Sequence, residues 1–261
     1  MKNSEIISST QNSQIQLLKK LAQKKYRYQE NKFTIENLVI IYDALSDGFD
    51  FDALFVTQDF INKHADKFNY LVGKSKISKY YLIDAKLNKH YSQLDTPSGI
   101  TAVYNINSNK LEKDKSVVYL NSVNDPGNVG TIIRNSLAFG FKNIIFDENC
   151  ADLYNFKTIN AAKNAIFKIN YFEDNQIAWL KQNQSKLAIY TSSSHNGELL
   201  SKFKAEKTFC LVLGNESHGV DEKIMSLASK NIKIEMNNEL ESLNVASAAA
   251  ILLYKLNQLN K

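Results

Sequence analysis

The sequence contains few of the residues that cross-link small proteins or bind metals. Its 261 residues include two cysteines, two prolines, nine glycines and four histidines. Cys150 and Cys210 form no C-x-x-C pair, so nothing supports a disulfide scaffold or a zinc ribbon. The histidines show no metal-ligand spacing, and we therefore expect no metal. Stability must come from a hydrophobic core, for which a hydrophobic fraction of 44% is ample.

Long hydrophobic runs are also missing. No apolar stretch is long enough to span a bilayer, and the polar N-terminus does not resemble a signal peptide. We therefore expect a cytoplasmic protein that makes no membrane contact. The length suits one large domain or two smaller ones.

Arginine is the scarcest charged residue, since only Arg27 and Arg134 interrupt an otherwise all-lysine set of 32 basic residues. The net charge of +5 permits a polyanionic partner without proving one. Residues 1–32 and 63–89 each carry seven basic and two acidic side chains, a net of +5 in each segment. Tyrosines stand among these charges, which suits phosphate contact with base stacking. A solvated lysine-rich face is the alternative interpretation of each segment.

The first part of the chain predicts a small α/β domain. Ile15, Leu18 and Ala22 recur at helical spacing and predict a helix over about residues 10–29. Four short apolar runs follow between polar segments: NLVIIYDAL, ALFVT, KYYLID and ITAVYNI. This alternation assigns residues 1–105 to an N-terminal domain. Residues 106–115 are charged, rich in asparagine and without an apolar period, and we predict that they form a linker.

Residues 116–261 alternate more regularly between strand-like and helical segments. The strand-like segments are VVYLNSV, NIIFDE, IFKINYF, LAIYTSS, FCLVLG and IKIEM. Helices are predicted over 126–139, 154–165, 174–184 and 221–229, and in the closing VASAAAILLYKLNQL. Such alternation is typical of a parallel sheet covered by helices on both faces.

The stretch NDPGNVGTIIRNSLAFG, residues 124–140, has the local signals of a loop that leads into a helix. Asp125 is a candidate N-cap, Pro126 fits the first turn, and Gly140 suits the left-handed residue after the helix. The free amides of the first turn favour an anion or a close ligand. Arg134 lies about two turns further on, off the buried stripe. An incidental surface arginine is the alternative.

Two later stretches also lead from a strand into a polar turn. FCLVLGNESHGV ends in glycines that permit a tight turn, and its Glu216 is free to pair with an arginine. In IKIEMNNELESLNVASAAAILLYKL, Ser242 or Asn244 is suited to cap the last helix. A plain strand–turn–helix connection would explain either stretch. Neither G-x-G-x-x-G nor a P-loop occurs, which argues against an α/β enzyme with a nucleotide cofactor.

In their order and spacing, the three stretches resemble the motifs of the SpoU/TrmH branch of the SPOUT RNA methyltransferases. The resemblance spans about residues 117–256, and ISSTQNSQIQLLKKLAQKKYR and QLDTPSGITAVY resemble the ends of the L30e-like RNA-binding domain that many members carry. It implies an α/β fold with a parallel sheet and a C-terminal trefoil knot, in a homodimer. It also implies transfer of a methyl group from S-adenosylmethionine to a ribose 2′-hydroxyl of RNA, with no metal.

The resemblance implies structured RNA as the substrate, and 23S ribosomal RNA in particular. Transfer RNA is the alternative, because members that lack such a front domain often act on tRNA. A non-catalytic RNA-binding protein that keeps the fold is the main alternative from another class.

The resemblance also assigns roles to individual residues. It implies a catalytic set of polar side chains: Asn128, Arg134, Glu216, Ser242 and Asn244. It implies cofactor contacts, largely through the backbone, at Leu213, Gly214, Ile234, Met236, Leu243 and Asn244. From the basic N-terminal cluster and the first motif, we predict RNA contacts at Lys24, Lys25, Arg27 and Arg134. For Arg27, a salt bridge to Glu30 is the alternative.

Arg134 is predicted to bind the phosphate beside the target ribose and to help remove the hydroxyl proton. A planar guanidinium grips a phosphate with two hydrogen bonds, which the point charge of lysine does not reproduce. This would explain an arginine in a lysine-dominated chain. A role as general base conflicts with a guanidinium pKa above ~12, so phosphate anchoring is the favoured role.

Four positions depart from the family pattern. Glu235 follows Ile234 where members have a proline, which is expected to loosen the cofactor loop. Ala162 and Asn164 replace a serine and a glycine, which puts a substrate contact in doubt. In the front domain, Asn37 stands where a glycine is usual.

Overall fold

The computed structural model describes residues 2–107, 110–193, 196–237, 239 and 241–259. It has an α/β architecture with one five-stranded and one seven-stranded sheet, which confirms the predicted fold class. Within the described residues, no helix combines the length and the apolar character needed to cross a membrane.

Contacts divide the chain into two compact units. One comprises Met1–Asn107 and Tyr154–Asn160, and the other Ser108–Leu153 and Ala161–Lys261. The predicted linker at 106–115 implies a single boundary between two continuous domains. The sequence therefore did not predict that Tyr154–Asn160 belongs with the first unit. Within that unit, the ring of Tyr154 lies 4.4 Å from the ring of Phe33. The predicted domains 1–105 and 116–261 stay a prediction.

The first unit is built on a mixed sheet. Its strands are β1 (Asn3–Ile7), β2 (Lys32–Ile35), β3 (Ala53–Thr57), β4 (Lys79–Ile83) and β5 (Ile100–Asn105). Its helices are α1 (Ser13–Leu21), α2 (Lys24–Glu30), α3 (Leu38–Ser46), α4 (Gln58–Lys63), α5 (Ala65–Lys74) and α6 (Ala85–Tyr91). The strand order is β1-β4-β3-β5-β2, in which β1, β4 and β3 are parallel and β5 is antiparallel to both of its neighbours.

The apolar residues of α1 explain how this unit packs. Ile15 and Leu18, from the predicted stripe, are buried together with Leu21, whereas Ala22 is the half-buried C-cap residue of the helix. The three buried residues join a core cluster with Phe55 of β3 and Ile83 of β4. The helix therefore covers one face of the sheet.

Two local predictions for this unit need correction. The single helix predicted over 10–29 is interrupted, because Gln23 has an extended backbone between α1 and α2. The first of the four apolar runs forms α3, whereas the other three form strands. Asn37 accepts hydrogen bonds from the amides of Val39 and Ile40, at 3.0 and 3.3 Å, and so starts α3 as its N-cap.

The structure buries Arg27, one of the predicted RNA contacts. Its side chain is only 3% exposed, and Nη1 donates to the carbonyl oxygens of Leu21 and Ala22, both at 2.9 Å. A cation at a helix C-terminus satisfies carbonyl groups that have no partner inside the helix. Arg27 therefore joins α2 to the end of α1. Lys24 and Lys25, by contrast, are exposed.

The second unit is built on a wholly parallel sheet. Its strands are β6 (Val117–Leu120), β7 (Asn143–Asp147), β8 (Asn170–Asp174), β9 (Ala188–Ser192), β10 (Glu198–Leu199), β11 (Phe209–Leu213) and β12 (Lys230–Lys233). Its helices are α7 (Pro126–Ala138), a 3-10 helix (Lys163–Phe167), α9 (Ala178–Asn183), α10 (Glu222–Met225) and α11 (Val245–Leu259). Helix α8 (Phe156–Ala162) is divided between the units, with residues 156–160 in the first and residues 161–162 in the second. The strand order is β10-β12-β9-β11-β6-β7-β8.

The central strands of this sheet are buried along their whole length. Every residue of β6, β7 and β11 is buried, as expected for parallel strands covered on both faces. The predicted ends of α7 are confirmed. Asp125 accepts from the amide of Asn128 at 2.8 Å, Pro126 is the first helical residue, and Gly140 has a φ of 85°.

Candidate active site

Three connections leave the same edge of the seven-stranded sheet, because they follow the carboxyl ends of the parallel strands β6, β11 and β12. Leu120 and Leu213 are register partners at the ends of β6 and β11. The amide of Asn121 donates to the carbonyl of Leu213 at 2.9 Å. The loops that begin at residues 121 and 214 therefore start side by side.

One polar side chain from each of the three sequence motifs joins a single hydrogen-bonded chain. Asn128, in the first turn of α7, donates through Nδ2 to Oε1 of Glu216. Nδ2 of Asn244 donates to Oδ1 of Asn128 at 3.0 Å. Asn244 Oδ1 is engaged as the N-cap of α11, where it accepts from the amide of Ala246 at 2.9 Å. The cap orients the amide of Asn244, which in turn orients Asn128 toward Glu216.

The loop after β11 is a tight turn that only glycine at residue 214 allows. A Cβ at Gly214 would lie 2.3 Å from the carbonyl carbon of Gly219, far inside van der Waals contact. Asn215 and Gly219 exchange two backbone hydrogen bonds of 2.9 Å. Nδ2 of Asn215 also donates to the carbonyl of Ser122 at 2.9 Å, which fixes this loop to the one after β6.

A cavity of about 530 Å³ opens beside this loop. Four of the residues predicted to hold a cofactor line it: Gly214, Ile234, Met236 and Leu243. Glu216 and Ser242, from the predicted catalytic set, also line it. Its volume falls within the range of about 300–1,000 Å³ typical of small-molecule sites.

The structure does not bring all of the predicted site residues to the cavity wall. Leu213 is fully buried in β11, and Asn244 is turned to the hydrogen-bonded chain. Arg134 is exposed on α7 and forms no hydrogen bond or ion pair with the part of the chain that the structure describes. It follows Asn128 by six residues, which is about 9 Å along the helix axis. Its guanidinium is therefore available to an anionic partner.

Sequence reasoning missed a group of buried residues that hold the two adjacent loops. Asp147, at the end of β7, accepts from Nδ2 of Asn121 at 2.7 Å and from the amide of Ser122 at 2.8 Å. Oδ1 of Asn121 accepts from the amide of Asp221 at 2.8 Å. Asp147 thus links the loop after β6 to the start of α10. The available signal was a polar residue directly at the end of an apolar strand, in both VVYLN and NIIFD.

Glu235, where the resemblance led us to expect a proline, has a specific contact of its own. Its Oε1 accepts from the backbone amide of Ser201 at 3.1 Å. Hydrogen bonding from Ser201 lowers the pKa of Glu235 below its usual value, so the carboxylate form is favoured. This contact ties down the segment that precedes Met236, which the missing proline was expected to loosen.

Comparison with known proteins gives the chain its family. The family model described as the SpoU rRNA Methylase family matches residues 115–254, which is more than half of the chain. The chain belongs to the SpoU rRNA methylase family. A second model, the MRM3-like substrate binding domain, matches residues 12–102. Membership of the SpoU family confirms the resemblance and the predicted enzyme class, an S-adenosylmethionine-dependent RNA methyltransferase.

A curated relative and two solved structures match nearly the whole chain. The 23S rRNA (guanosine(2553)-2′-O)-methyltransferase RlmP of Bacillus subtilis is 30% identical, over 96% of this chain and 98% of RlmP. An AdoMet-bound rRNA methyltransferase from Sinorhizobium meliloti matches with a TM-score of 0.81 at 23% identity, over 98% of each chain. AviRb from Streptomyces viridochromogenes, a SpoU methyltransferase in complex with AdoMet, matches with a TM-score of 0.83 at 19% identity, over 95% of this chain and 98% of AviRb.

Proposed function

We propose that this protein transfers a methyl group from S-adenosylmethionine to a ribose 2′-hydroxyl of 23S ribosomal RNA. The hydrogen-bonded chain of Glu216, Asn128 and Asn244 beside the cavity is the observation that carries the proposal. It unites all three sequence motifs in one place. A relative 30% identical over nearly the whole chain is named for this reaction.

The cavity fits the cofactor in size and in the character of its walls. We propose that Gly214, Ile234, Met236 and Leu243 hold it, with apolar side chains and backbone groups around an adenosine moiety. The absence of a side chain at Gly214 is needed for the turn that forms this wall. When bound, S-adenosylmethionine supplies an electrophilic methyl group on a sulfonium. Leu213 and Asn244 would contribute from behind the wall, by supporting the loops.

Arg134 and the polar chain are proposed to position the RNA. The guanidinium of Arg134 binds the phosphate next to the target ribose, since it is exposed and makes no internal pair among the described residues. Glu216 and Asn128 orient the hydroxyl through their hydrogen-bonding groups. Ser242, on the cavity wall, is proposed to contact the same region. Alignment of reacting atoms is a large source of rate in a reaction of this kind.

We propose that the first unit binds RNA through the exposed side of α2. Nζ of Lys24 lies 5.5 Å from the ring centroid of Tyr28, and Nζ of Lys25 lies 5.8 Å from that of Tyr26. Paired cations and aromatic rings offer phosphate contact and base stacking together. The match of residues 12–102 to a substrate binding domain supports this role.

We also propose that the protein acts as a homodimer in the cytoplasm and that its C-terminal segment forms the trefoil knot of the family. The last helix supports the dimer, because α11 exposes Ile251 (41%) and Tyr254 (53%). Exposed apolar side chains on one helix favour burial against a second copy. The cytoplasmic location follows from the proposed ribosomal substrate.

Mapping of 2′-O-methyl marks in RNA from cells with and without this gene tests the proposal. We expect one mark in 23S rRNA to disappear with the gene and to return with a wild-type copy. A mark lost from tRNA would instead support the tRNA alternative. An unchanged map, together with calorimetry that detects no S-adenosylmethionine binding, would support a non-catalytic RNA-binding protein.

A further inference from the structure

The cavity wall formed by residues 214–220 is fastened at both of its ends. Near its start, Nδ2 of Asn215 donates to the carbonyl oxygen of Ser122 at 2.9 Å. Directly after its end, the backbone amide of Asp221 donates to Oδ1 of Asn121 at 2.8 Å. Asn121 and Ser122 are consecutive residues of the loop after β6. The position of these two residues therefore sets where this wall of the cavity stands.

One buried side chain holds both of these consecutive residues. Asp147, at the end of β7, is only 6% exposed. Its Oδ2 accepts from Nδ2 of Asn121 at 2.7 Å, from the amide of Ser122 at 2.8 Å and from the hydroxyl of Ser122 at 3.2 Å. Its Oδ1 accepts from the amide of Asn149 at 3.0 Å. All four partners are donors, and a carboxylate is the side chain that can accept from all of them.

The backbone of Ser122 has a conformation that depends on such support. Its φ of 55° lies in the left-handed region, which residues with a Cβ seldom adopt. The two hydrogen bonds from Ser122 to Asp147 hold it there. Because the carbonyl of Ser122 is the acceptor for Asn215, a change in this backbone would also move the start of the cavity wall.

We propose that Asp147 is a positioning residue for S-adenosylmethionine, an inference that rests on the proposed placement of the cofactor in this cavity. Asp147 is not among the described residues that line the cavity, so it acts through Asn121 and Ser122. A wall that is fixed before the cofactor arrives does not have to be ordered on binding. Without the carboxylate, this ordering accompanies each binding event, and the affinity for the cofactor falls.

The neighbouring strand supplies a matched control. Asp174 ends β8 and is the register partner of Asp147. It is also buried, at 1% exposed. It accepts from the hydroxyl of Tyr119 at 3.1 Å and from the amide of Trp179 at 2.9 Å, and neither donor belongs to the loops beside the cavity. Removal of either carboxylate leaves buried donors without an acceptor, but only one of the two removals releases the cavity wall.

The test compares Asp147→Ala with Asp174→Ala in the full-length protein, by calorimetry with S-adenosylmethionine. Each variant is measured at a temperature at which its melting curve shows the folded state. Hydrogen exchange over residues 214–221 in the cofactor-free protein gives a second readout that requires no ligand. Asn121→Ala removes the link to Asp221 without removing a buried carboxylate, and it provides the comparison if either aspartate variant does not fold.

We expect Asp147→Ala to bind S-adenosylmethionine at least about tenfold more weakly than the wild type, since the loss of one hydrogen bond to a charged acceptor has about this effect. Exchange over residues 214–221 should be faster, because the wall opens more often. Asn121→Ala should change both quantities in the same direction. Asp174→Ala should lower the melting temperature and keep the cofactor affinity of the wild type.

Three results would overturn the inference. The first is a cofactor affinity within twofold of the wild type in Asp147→Ala, or in Asn121→Ala where that variant replaces it. The second is equal weakening in Asp174→Ala, which would assign the effect to a general loss of stability. The third is unchanged exchange over residues 214–221. If the wild type itself binds no S-adenosylmethionine, the proposed function fails, and this outcome is distinguished because it appears without any substitution.

Discussion

Oδ1 of Asn128 accepts a hydrogen bond of 3.0 Å from Nδ2 of Asn244, a residue 116 positions later in the chain. The same Asn244 side chain caps α11 through its oxygen. One amide therefore supports a helix and the site at once, and the two roles are separable because they use different atoms.

Asn244→Asp is expected to separate these two roles. Aspartate is as good an N-cap as asparagine, so the melting temperature should stay near that of the wild type. The variant has no amide to donate to Asn128 and places a carboxylate against its oxygen. We therefore expect methylation to fall about 2–10-fold, as for loss of a neutral hydrogen bond worth roughly 0.5–1.5 kcal/mol. Asn244→Ala, which loses both roles, should also lose about 1 kcal/mol of stability. Full activity of Asn244→Asp would show that the contact with Asn128 is dispensable.

Gly214→Ala is expected to disrupt cofactor binding. The added methyl group would overlap the backbone of Gly219, so the turn that forms the cavity wall must open. We expect calorimetry to show at least a tenfold weaker binding of S-adenosylmethionine. The matched control is Gly73→Ala in α5, where a Cβ meets nothing within 4 Å and helix propensity predicts a gain of about 0.5–1 kcal/mol. Normal affinity in Gly214→Ala would contradict the placement of the cofactor at this turn.

Arg27→Ala is expected to lower the stability of the protein more than its affinity for RNA. The substitution leaves the carbonyl groups of Leu21 and Ala22 without the guanidinium that now satisfies them. We expect a loss of roughly 2–3 kcal/mol in the free energy of unfolding, measured by urea denaturation. Lys24→Ala, on the exposed side of the same helix, should leave stability unchanged and weaken RNA binding in a salt-dependent way. The reverse pattern would restore Arg27 as an RNA contact.

Glu36 is expected to make the stability of the first unit depend on pH. Burial raises the pKa of Glu36 above its ordinary value, although hydrogen bonds from Ser92 and the amide of Gln93 oppose the shift. The folded state therefore holds the proton to higher pH than the unfolded state. The contribution of Glu36 to stability is present at pH values below its pKa in the unfolded state, and it is lost as the pH rises through its pKa in the folded state.

Glu36→Gln removes the titration, while its single oxygen can still accept from the amide of Gln93 and its NH2 group can donate to the hydroxyl oxygen of Ser92. Between the pKa of Glu36 in the unfolded state and its higher pKa in the folded state, the free energy of unfolding should change less steeply with pH in the variant than in the wild type. Identical slopes in parallel urea titrations would contradict the role assigned to burial.

The features that sequence predicted well were local and had a direct physical cause. Asp125, Pro126 and Gly140 marked the ends of α7 because capping and backbone preference act over a few residues. The fully apolar strands predicted a parallel sheet, since both of its faces must be covered. Asn244 was recognised as a possible cap for the same local reason.

The features that sequence missed depend on tertiary contacts. Arg27 stands in a cationic segment that resembles a surface, and its burial follows from how α2 packs against α1. NLVIIYDAL is apolar on nearly every side, so its period did not distinguish strand from helix. The link from Asp147 through Asn121 to Asp221 joins residues that the sequence separates widely. Only the family resemblance predicted that Asn128, Glu216 and Asn244 belong to one site. The spacing of each motif alone had a plain structural explanation.

The most direct test of the central claim is mass spectrometry of nucleosides from 23S rRNA incubated with the purified protein and S-adenosylmethionine that carries a deuterated methyl group. The account predicts the label on one ribose 2′-oxygen, and a strongly reduced amount with Arg134→Lys, in which the charge remains but the planar fork is lost. Label on a base, or no label on RNA that lacks the native mark, would contradict ribose methylation. Equal labelling by Arg134→Lys would contradict the anchoring role of the guanidinium.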